Sequence, residues 1–131
     1  MNPILQPLNT LTKMMTGDQW PQLLDLKQAD DMAELVLQIP ADLHWLKGHF
    51  PSQPVLAGVV QTDWACRIAL CLFNLEREPK RIDNLKFQNV IIPPQTVKLE
   101  LLHTTDSQSI HFRYRNPELP EHTFSEGKLV F

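Results

Sequence analysis

Residues 59–75 read VVQTDWACRIALCLFNL, a stretch without Gly or Pro in which apolar side chains fall on nearly every face of a helix. A helix that is apolar all round is surrounded by protein. We therefore predict one central helix over residues 58–75, around which the rest of the chain is folded. Asp63 stands out within it, because a charged side chain lies where a buried residue is expected.

Segments with strand periodicity flank this helix on both sides. Before it, QLLDLKQADDMAELVLQIP (residues 22–40) predicts two strands around a turn at residues 29–31, and the second strand alternates apolar and polar side chains. After it, the same period of two predicts four further strands. These are IDNLKFQNVII (82–92), TVKLELLHTT (96–105), SIHFRYRN (109–116) and FSEGKLVF (124–131).

The order of two strands, one helix and four strands favours an α+β domain. In it, an antiparallel sheet of about six strands wraps one long central helix, an arrangement called the hotdog fold. We expect a single domain over residues 1–131, in which residues 1–20 form an N-terminal arm or a short helix. A sheet of this size covers one side of the helix well, so we expect a second copy of the chain to cover the other side.

Composition narrows the class of protein. The chain has 131 residues, 43% hydrophobic and 21% charged, and its longest apolar run is too short to span a membrane. A net charge of −3 argues against non-specific binding to nucleic acid. The first residues lack the features of a secretion signal, which predicts a cytoplasmic protein. Cys66 and Cys71 are predicted to be buried thiols, since their spacing matches no metal or redox motif.

The segment before the helix, GHFPSQPVLAG (residues 48–58), carries the candidate chemistry. A helix N-terminus presents unpaired N–H groups that can stabilise an oxyanion, and Gly58 lets a substrate approach the backbone. His49 could remove a proton from the carbon next to a thioester, and Asp63 could protonate or orient a β-hydroxyl group. On residue type alone, a loop histidine is more often structural and a lone helical aspartate is more often solvated.

The spacing of these residues resembles the active-site motif of the bacterial β-hydroxyacyl-acyl carrier protein dehydratases. That motif runs GHF, a proline-valine pair, a glycine at the helix start and then Asp or Glu in the helix. The resemblance implies that His49 is the catalytic histidine, Gly58 the oxyanion-binding glycine and Asp63 the catalytic acid. It also implies substrate contacts for Phe50 and Val59.

The resemblance is close over about eighteen residues and extends more loosely to FQNVIIPPQTVKLEL (residues 87–101). Within the motif, Ser52 stands where the family usually has Gly, and Ala57 where it usually has Pro. Neither change removes a catalytic group, but both are expected to reshape the loop. The short chain is similar to the stand-alone dehydratases of aryl polyene or specialised lipid pathways, the ApeI-like subgroup.

The resemblance further implies a homodimer in which His49 of one chain faces Asp63 of the other beside an acyl tunnel. A higher even oligomer and a heterodimer with a related dehydratase are left open by the sequence. Gln61, Thr62 and Trp64 are candidate tunnel residues, with packing or interface contacts as the alternative. No cofactor and no metal are expected, because the other histidines show no metal-ligand spacing. These are His44, His103, His111 and His122.

The implied reaction is the dehydration of a 3-hydroxyacyl thioester to the trans-2-enoyl thioester, in fatty acid or polyene-type lipid biosynthesis. The implied partner is an acyl carrier protein, which is acidic. Arg77, Lys80 and Arg81 form a basic cluster beyond the helix that could dock it, or could simply be a solvated helix end. Two alternatives remain open: a thioesterase on the same fold, and a non-catalytic acyl-binding subunit of a dehydratase complex.

Overall fold

The computed structural model describes residues 5–46 and 55–131. Two helices and a 3-10 turn accompany the strands: α1 (Leu5–Met14), the turn (His44–Leu46) and α2 (Gly58–Leu72). The six strands are β1 (Gln22–Gln28), β2 (Met32–Ile39), β3 (Arg81–Phe87), β4 (Gln95–Thr104), β5 (Ser109–Arg115) and β6 (Thr123–Val130). They form one antiparallel sheet in the order β1-β2-β4-β5-β6-β3. The predicted sheet around a long helix is confirmed.

The core lies between the sheet and α2. Alternate residues of β2 and β4 point inward, and they meet the buried side of α2 that carries Trp64, Ala65 and Ile68. α1 packs on α2 and contributes Leu11, which is fully buried. The N-terminal segment thus contains the short helix that was one of its two predicted forms.

Two predicted boundaries differ from the structure by more than one residue. α2 begins at Gly58 as predicted but ends at Leu72, where the Phe73 N–H still bonds to the Ala69 carbonyl. The strand predicted over residues 82–92 ends at Phe87. Its pairing with β6 shifts register between Asp83 and Lys86, where Asn84 has a φ of 54°.

The sheet covers one side of α2 in the single chain, and the other side, which a second copy was expected to cover, is open. One stripe of the helix is exposed, with Val59, Asp63 and Arg67 at successive turns. The adjacent inner surface of β3 is also open, since Ile82, Leu85 and Phe87 are 39%, 41% and 52% exposed. We call these six residues, together with Val90, the open face. It lies at an edge of the sheet, because among the described residues β3 pairs with β6 alone.

Candidate active site

The start of α2 leaves backbone donors without a side-chain cap. Ala57 is the N-cap residue, and its carbonyl accepts the N–H groups of Val60 and Gln61 at 3.1 and 3.3 Å. Ala57 makes no side-chain capping bond, and the first turn of the helix contains no acidic residue. Among the described residues, the amides of Gly58 and Val59 therefore lie at the positive end of the helix dipole without a capping side chain.

A cavity of about 410 Å³ borders these donors. Its lining includes Gly58, Val59, Gln61, Phe87, Asn89 and Val90. The Phe87 ring lies against the helix start so closely that a Cβ added to Gly58 would come within 2.6 Å of its Cε1 and Cζ atoms. A glycine at position 58 thus permits the approach of an aromatic ring to the backbone. Sequence reasoning missed Phe87, although it is the first residue of the second stretch that resembles the dehydratase family.

Asp63 lies on the exposed stripe of α2, and its side chain is 49% exposed. The expectation of a buried aspartate is therefore wrong for the single chain. Its carboxylate pairs with the guanidinium of Arg67, Nε to Oδ2, at 3.1 Å. An exposed i,i+4 pair of this kind contributes only about 0.3–0.5 kcal/mol, so it orients the carboxylate more than it stabilises the fold.

His49 and Phe50 lie outside the described residues, as does Ser52. The structure thus gives the position of Gly58 and Asp63 and not that of the predicted catalytic histidine. Leu56, shortly after the undescribed segment, is held by the bond from its N–H to the Ile91 carbonyl at 2.9 Å. The path into α2 is therefore fixed by the segment that follows β3.

The three candidate tunnel residues have different surroundings. Gln61 is 3% exposed, and its amide bonds to the Leu56 carbonyl and to Ser125. Thr62 donates its hydroxyl to the Gly58 carbonyl at 3.0 Å. Trp64 is 1% exposed, stacks on Trp20 and donates its indole N–H to the Gln19 carbonyl at 3.1 Å. These contacts support the packing alternative for Trp64, while Gln61 borders the cavity from the core side.

Two titratable groups near Asp63 are held in their neutral forms. Burial, and then the charge of Asp63, raises the pKa of the Tyr114 phenol well above its usual value, although a backbone hydrogen bond to Ala65 opposes the rise. Burial, and then the charges of Asp63 and Glu78, raises the pKa of the Cys66 thiol to about 11. Cys66 is half-buried rather than buried as predicted, and a thiol with this pKa is a poor nucleophile at neutral pH.

The predicted docking cluster is exposed beyond the end of α2. Arg81 forms an ion pair with Asp83 at 3.1 Å, and exposed Glu76 and Glu78 are interleaved with Arg77 and Lys80. These acidic neighbours offset much of the cluster's positive charge. Arg77 also borders a second cavity, of about 600 Å³, together with His103 and Phe131.

Metal ligation finds no support in the part of the chain that the structure describes. Within residues 5–46 and 55–131, no group of three or more His, Cys, Asp or Glu side chains is arranged to hold an ion. On the strand pair β5/β6, His111 Nε2 lies 3.8 Å from Glu126 Oε1. The ring of His103 contacts the ring of Phe73. In the same residues, no helix is long and apolar enough to cross a membrane.

Replacing Ala57 by proline is expected to stabilise the protein. Ala57 has φ −63° and ψ 144°, which suits proline, and its N–H has no acceptor among the described residues. Proline would reduce the freedom of the unfolded chain, so Ala57→Pro should raise the free energy of unfolding by about 0.4–1 kcal/mol. Denaturant unfolding measures this change. The matched variant Ala57→Gly should shift the midpoint the opposite way, and a destabilised Ala57→Pro variant would contradict the prediction.

Comparison with known proteins assigns the chain to a family. The family model described as ApeI-like, ApeI dehydratase, matches residues 25–128. In a solved structure, the dehydratase heterocomplex ApeI:P from Xenorhabdus doucetiae, one chain is 32% identical. The match covers 84% of this chain and 96% of that one, with a TM-score of 0.76, and it confirms the hotdog fold.

Curated relatives carry the name 3-hydroxyacyl-[acyl-carrier-protein] dehydratase FabZ. The protein from Legionella pneumophila (strain Lens) is 32% identical over 68 residues, which is 44% of this chain and 45% of its own length. The protein from Natranaerobius thermophilus is 27% identical over 106 residues, or 76% of this chain and 75% of its own. The chain thus aligns with less than half the length of the Legionella relative.

Proposed function

Because the chain belongs to the ApeI-like dehydratase family, we propose that it dehydrates a 3-hydroxyacyl thioester to the trans-2-enoyl thioester. The observation that carries the proposal is the start of α2. There the uncapped amides at Gly58 border a cavity, and Asp63 follows on the exposed stripe of the same helix. The pathway we propose is fatty acid or polyene-type lipid biosynthesis.

The proposed chemistry divides among three groups. His49 removes a proton from the carbon next to the thioester carbonyl. The N–H groups at Gly58 stabilise the oxyanion of the enolised thioester, for which a helix N-terminus is suited. In its protonated form Asp63 gives a proton to the β-hydroxyl; if Asp63 only orients that hydroxyl, the proton that His49 took from carbon 2 is returned to it. The hydroxyl then leaves as water while the double bond forms between carbons 2 and 3. Arg67 holds the Asp63 carboxylate on the open face, where a substrate could reach it.

An assay with a 3-hydroxyacyl thioester tests this function. Enoyl product is followed by its absorbance, and free thiol is followed in the same reaction. Enoyl formation without thiol release supports the dehydratase. Thiol release without enoyl product would support the thioesterase, and the absence of both would support a non-catalytic acyl-binding subunit.

We propose that a second copy of the chain covers the open face. Exposed apolar side chains concentrate there, with Val59 75% and Val90 59% exposed. An edge strand also presents unpaired N–H and C=O groups to another chain. In such a dimer, Asp63 would lie at the interface, beside residues of the partner. The same face could accept a related dehydratase chain, so mass analysis of the purified protein distinguishes a homodimer from a heterodimer.

We propose an acyl carrier protein as the substrate's carrier, with Arg77, Lys80 and Arg81 as its docking cluster. Reversing the charge at Arg77 and Arg81 should raise KM for a carrier-bound substrate, because charges at the rim of an interface mainly affect association. For a small thioester analogue, the charge-reversed variant should have the same KM as the unaltered protein. Equal changes in KM for the two substrates would overturn the docking role, and increasing salt should weaken only the carrier-bound reaction.

A further inference from the structure

Gln61 is a buried polar residue on the first turns of α2. Its side-chain nitrogen, its side-chain oxygen and its backbone carbonyl each take part in a hydrogen bond. Its side-chain N–H donates to the Leu56 carbonyl at 3.1 Å, and its side-chain oxygen accepts the Ser125 hydroxyl at 2.6 Å. Its backbone carbonyl accepts the Tyr114 hydroxyl at 2.7 Å. Ser125 and Tyr114 are fully buried. Because a carbonyl only accepts, the bond to Leu56 fixes which end of the amide faces the helix start.

These bonds join the entry of α2 to the sheet. Leu56 is held twice, through its N–H by the Ile91 carbonyl and through its own carbonyl by Gln61. Gln61 in turn is anchored to β6 by Ser125 and to β5 by Tyr114. Leu56, which is held at both its N–H and its carbonyl, is separated from Gly58 only by Ala57. The direction of the Gly58 and Val59 amides therefore depends on the position of the Gln61 side chain.

Packing by itself does not require glutamine at this site. A leucine or methionine would fill a similar volume in the core and would need no buried partners, whereas an amide is costly to bury unless it is hydrogen-bonded. The contacts that glutamine adds are those to Leu56 and Ser125. Those contacts act on the backbone that precedes the helix, which borders the cavity.

We propose that Gln61 is a positioning residue, which holds the uncapped amides at the start of α2 in the orientation needed to bind the oxyanion. The proposal rests on the proposed dehydratase function, in which those amides carry the developing charge. Oxyanion donors must lie about 2.7–3.1 Å from the charged oxygen, so a small displacement of Gly58 weakens the interaction in the transition state. Gln61 itself has no need to touch the substrate.

The variant Gln61→Met tests this role, because it keeps an unbranched side chain and removes both side-chain hydrogen bonds. We expect kcat to fall by about tenfold or more, with the 10²–10³ that loss of one oxyanion donor costs as the upper limit. KM should stay within about twofold, and the shape of the pH profile should not change, since no titrating group is removed. The assay temperature is set well below the melting temperature of every variant.

Ser125→Ala is a second variant of the same network. It removes the bond that anchors Gln61 to β6 but leaves the bond from Gln61 to the Leu56 carbonyl. A positioning role predicts that Ser125→Ala lowers kcat less than Gln61→Met does, because the contact with the backbone before α2 is kept. If Gln61→Met keeps the kcat of the unaltered protein, or if it changes only KM, the positioning role is overturned.

A measurement that needs no activity separates failure of this inference from failure of the proposed function. In amide NMR spectra of the whole protein, Gln61→Met should shift the signals of residues 56–59 and speed hydrogen exchange at Leu56. Unchanged signals in this segment would overturn the inference even if the unaltered protein makes enoyl product. If the unaltered protein makes none, the proposed function fails, and the NMR result still decides whether Gln61 positions the helix start.

Discussion

Mixing His49→Ala chains with Asp63→Ala chains is expected to restore activity that neither variant has alone. Each variant should lose about 10²–10⁴ in kcat, because each lacks one group of the proposed acid-base pair. If His49 of one chain works with Asp63 of the other, a mixed dimer contains one intact site and one doubly altered site. Random reassortment in a two-fold dimer should then return about a quarter of the original activity.

Two controls show whether the recovered activity comes from the mixed dimer. Each variant is also unfolded, refolded and assayed by itself, which controls for recovery from misfolding. Chains that carry different tags allow the mixed dimer to be isolated and its enoyl product to be measured directly. If the mixed dimer stays at the background of the single variants, each site is built within one chain, and the proposed arrangement across the two-fold axis is wrong.

Periodicity was sufficient to predict the sheet and the start of the central helix. The strict alternation in β2 places Ala33, Leu35 and Leu37 inward, as the structure has them. The run of apolar residues after Gly58, without Gly or Pro, predicted a helix that begins there, although it ends three residues earlier than predicted. The strand after α2 was predicted too long. Regular pairing is interrupted at the left-handed Asn84, and it ends at Phe87, after which the Gln88 and Asn89 amides both bond to the Phe124 carbonyl. Such contacts between distant segments leave no periodic signal.

The candidate site was predictable in part. The uncapped start of α2 follows from Gly58 and the lack of a capping side chain before it. The polar neighbours of Gln61 could also have been predicted, because the alternation in β5 and β6 places Tyr114 and Ser125 on the inner side of the sheet. The position of Asp63 on an exposed stripe depends on how the sheet covers the helix, which the periodicity of the helix does not give. The proposed second copy of the chain would cover this stripe.

The variant Leu85→Glu is expected to dissociate the proposed dimer and to abolish enoyl formation. Leu85 is 41% exposed on the open face, and it packs on the inner side of the sheet next to Gly127. A carboxylate there would have to be buried without a partner in the proposed dimer, a cost of several kcal/mol. Because each proposed site needs groups from two chains, separated chains should have no complete site.

Leu102→Glu is the control for this experiment. Leu102 is 49% exposed on β4, but it is paired with Met32 and His111 on the outer side of the sheet, away from α2. The same substitution should leave both the oligomeric mass and the activity unchanged there. Sedimentation equilibrium measures the mass, and the enoyl assay measures the activity at the same protein concentration. A Leu85→Glu protein that stays dimeric would place the interface elsewhere, and one that becomes monomeric yet remains active would show that a single chain holds the whole site.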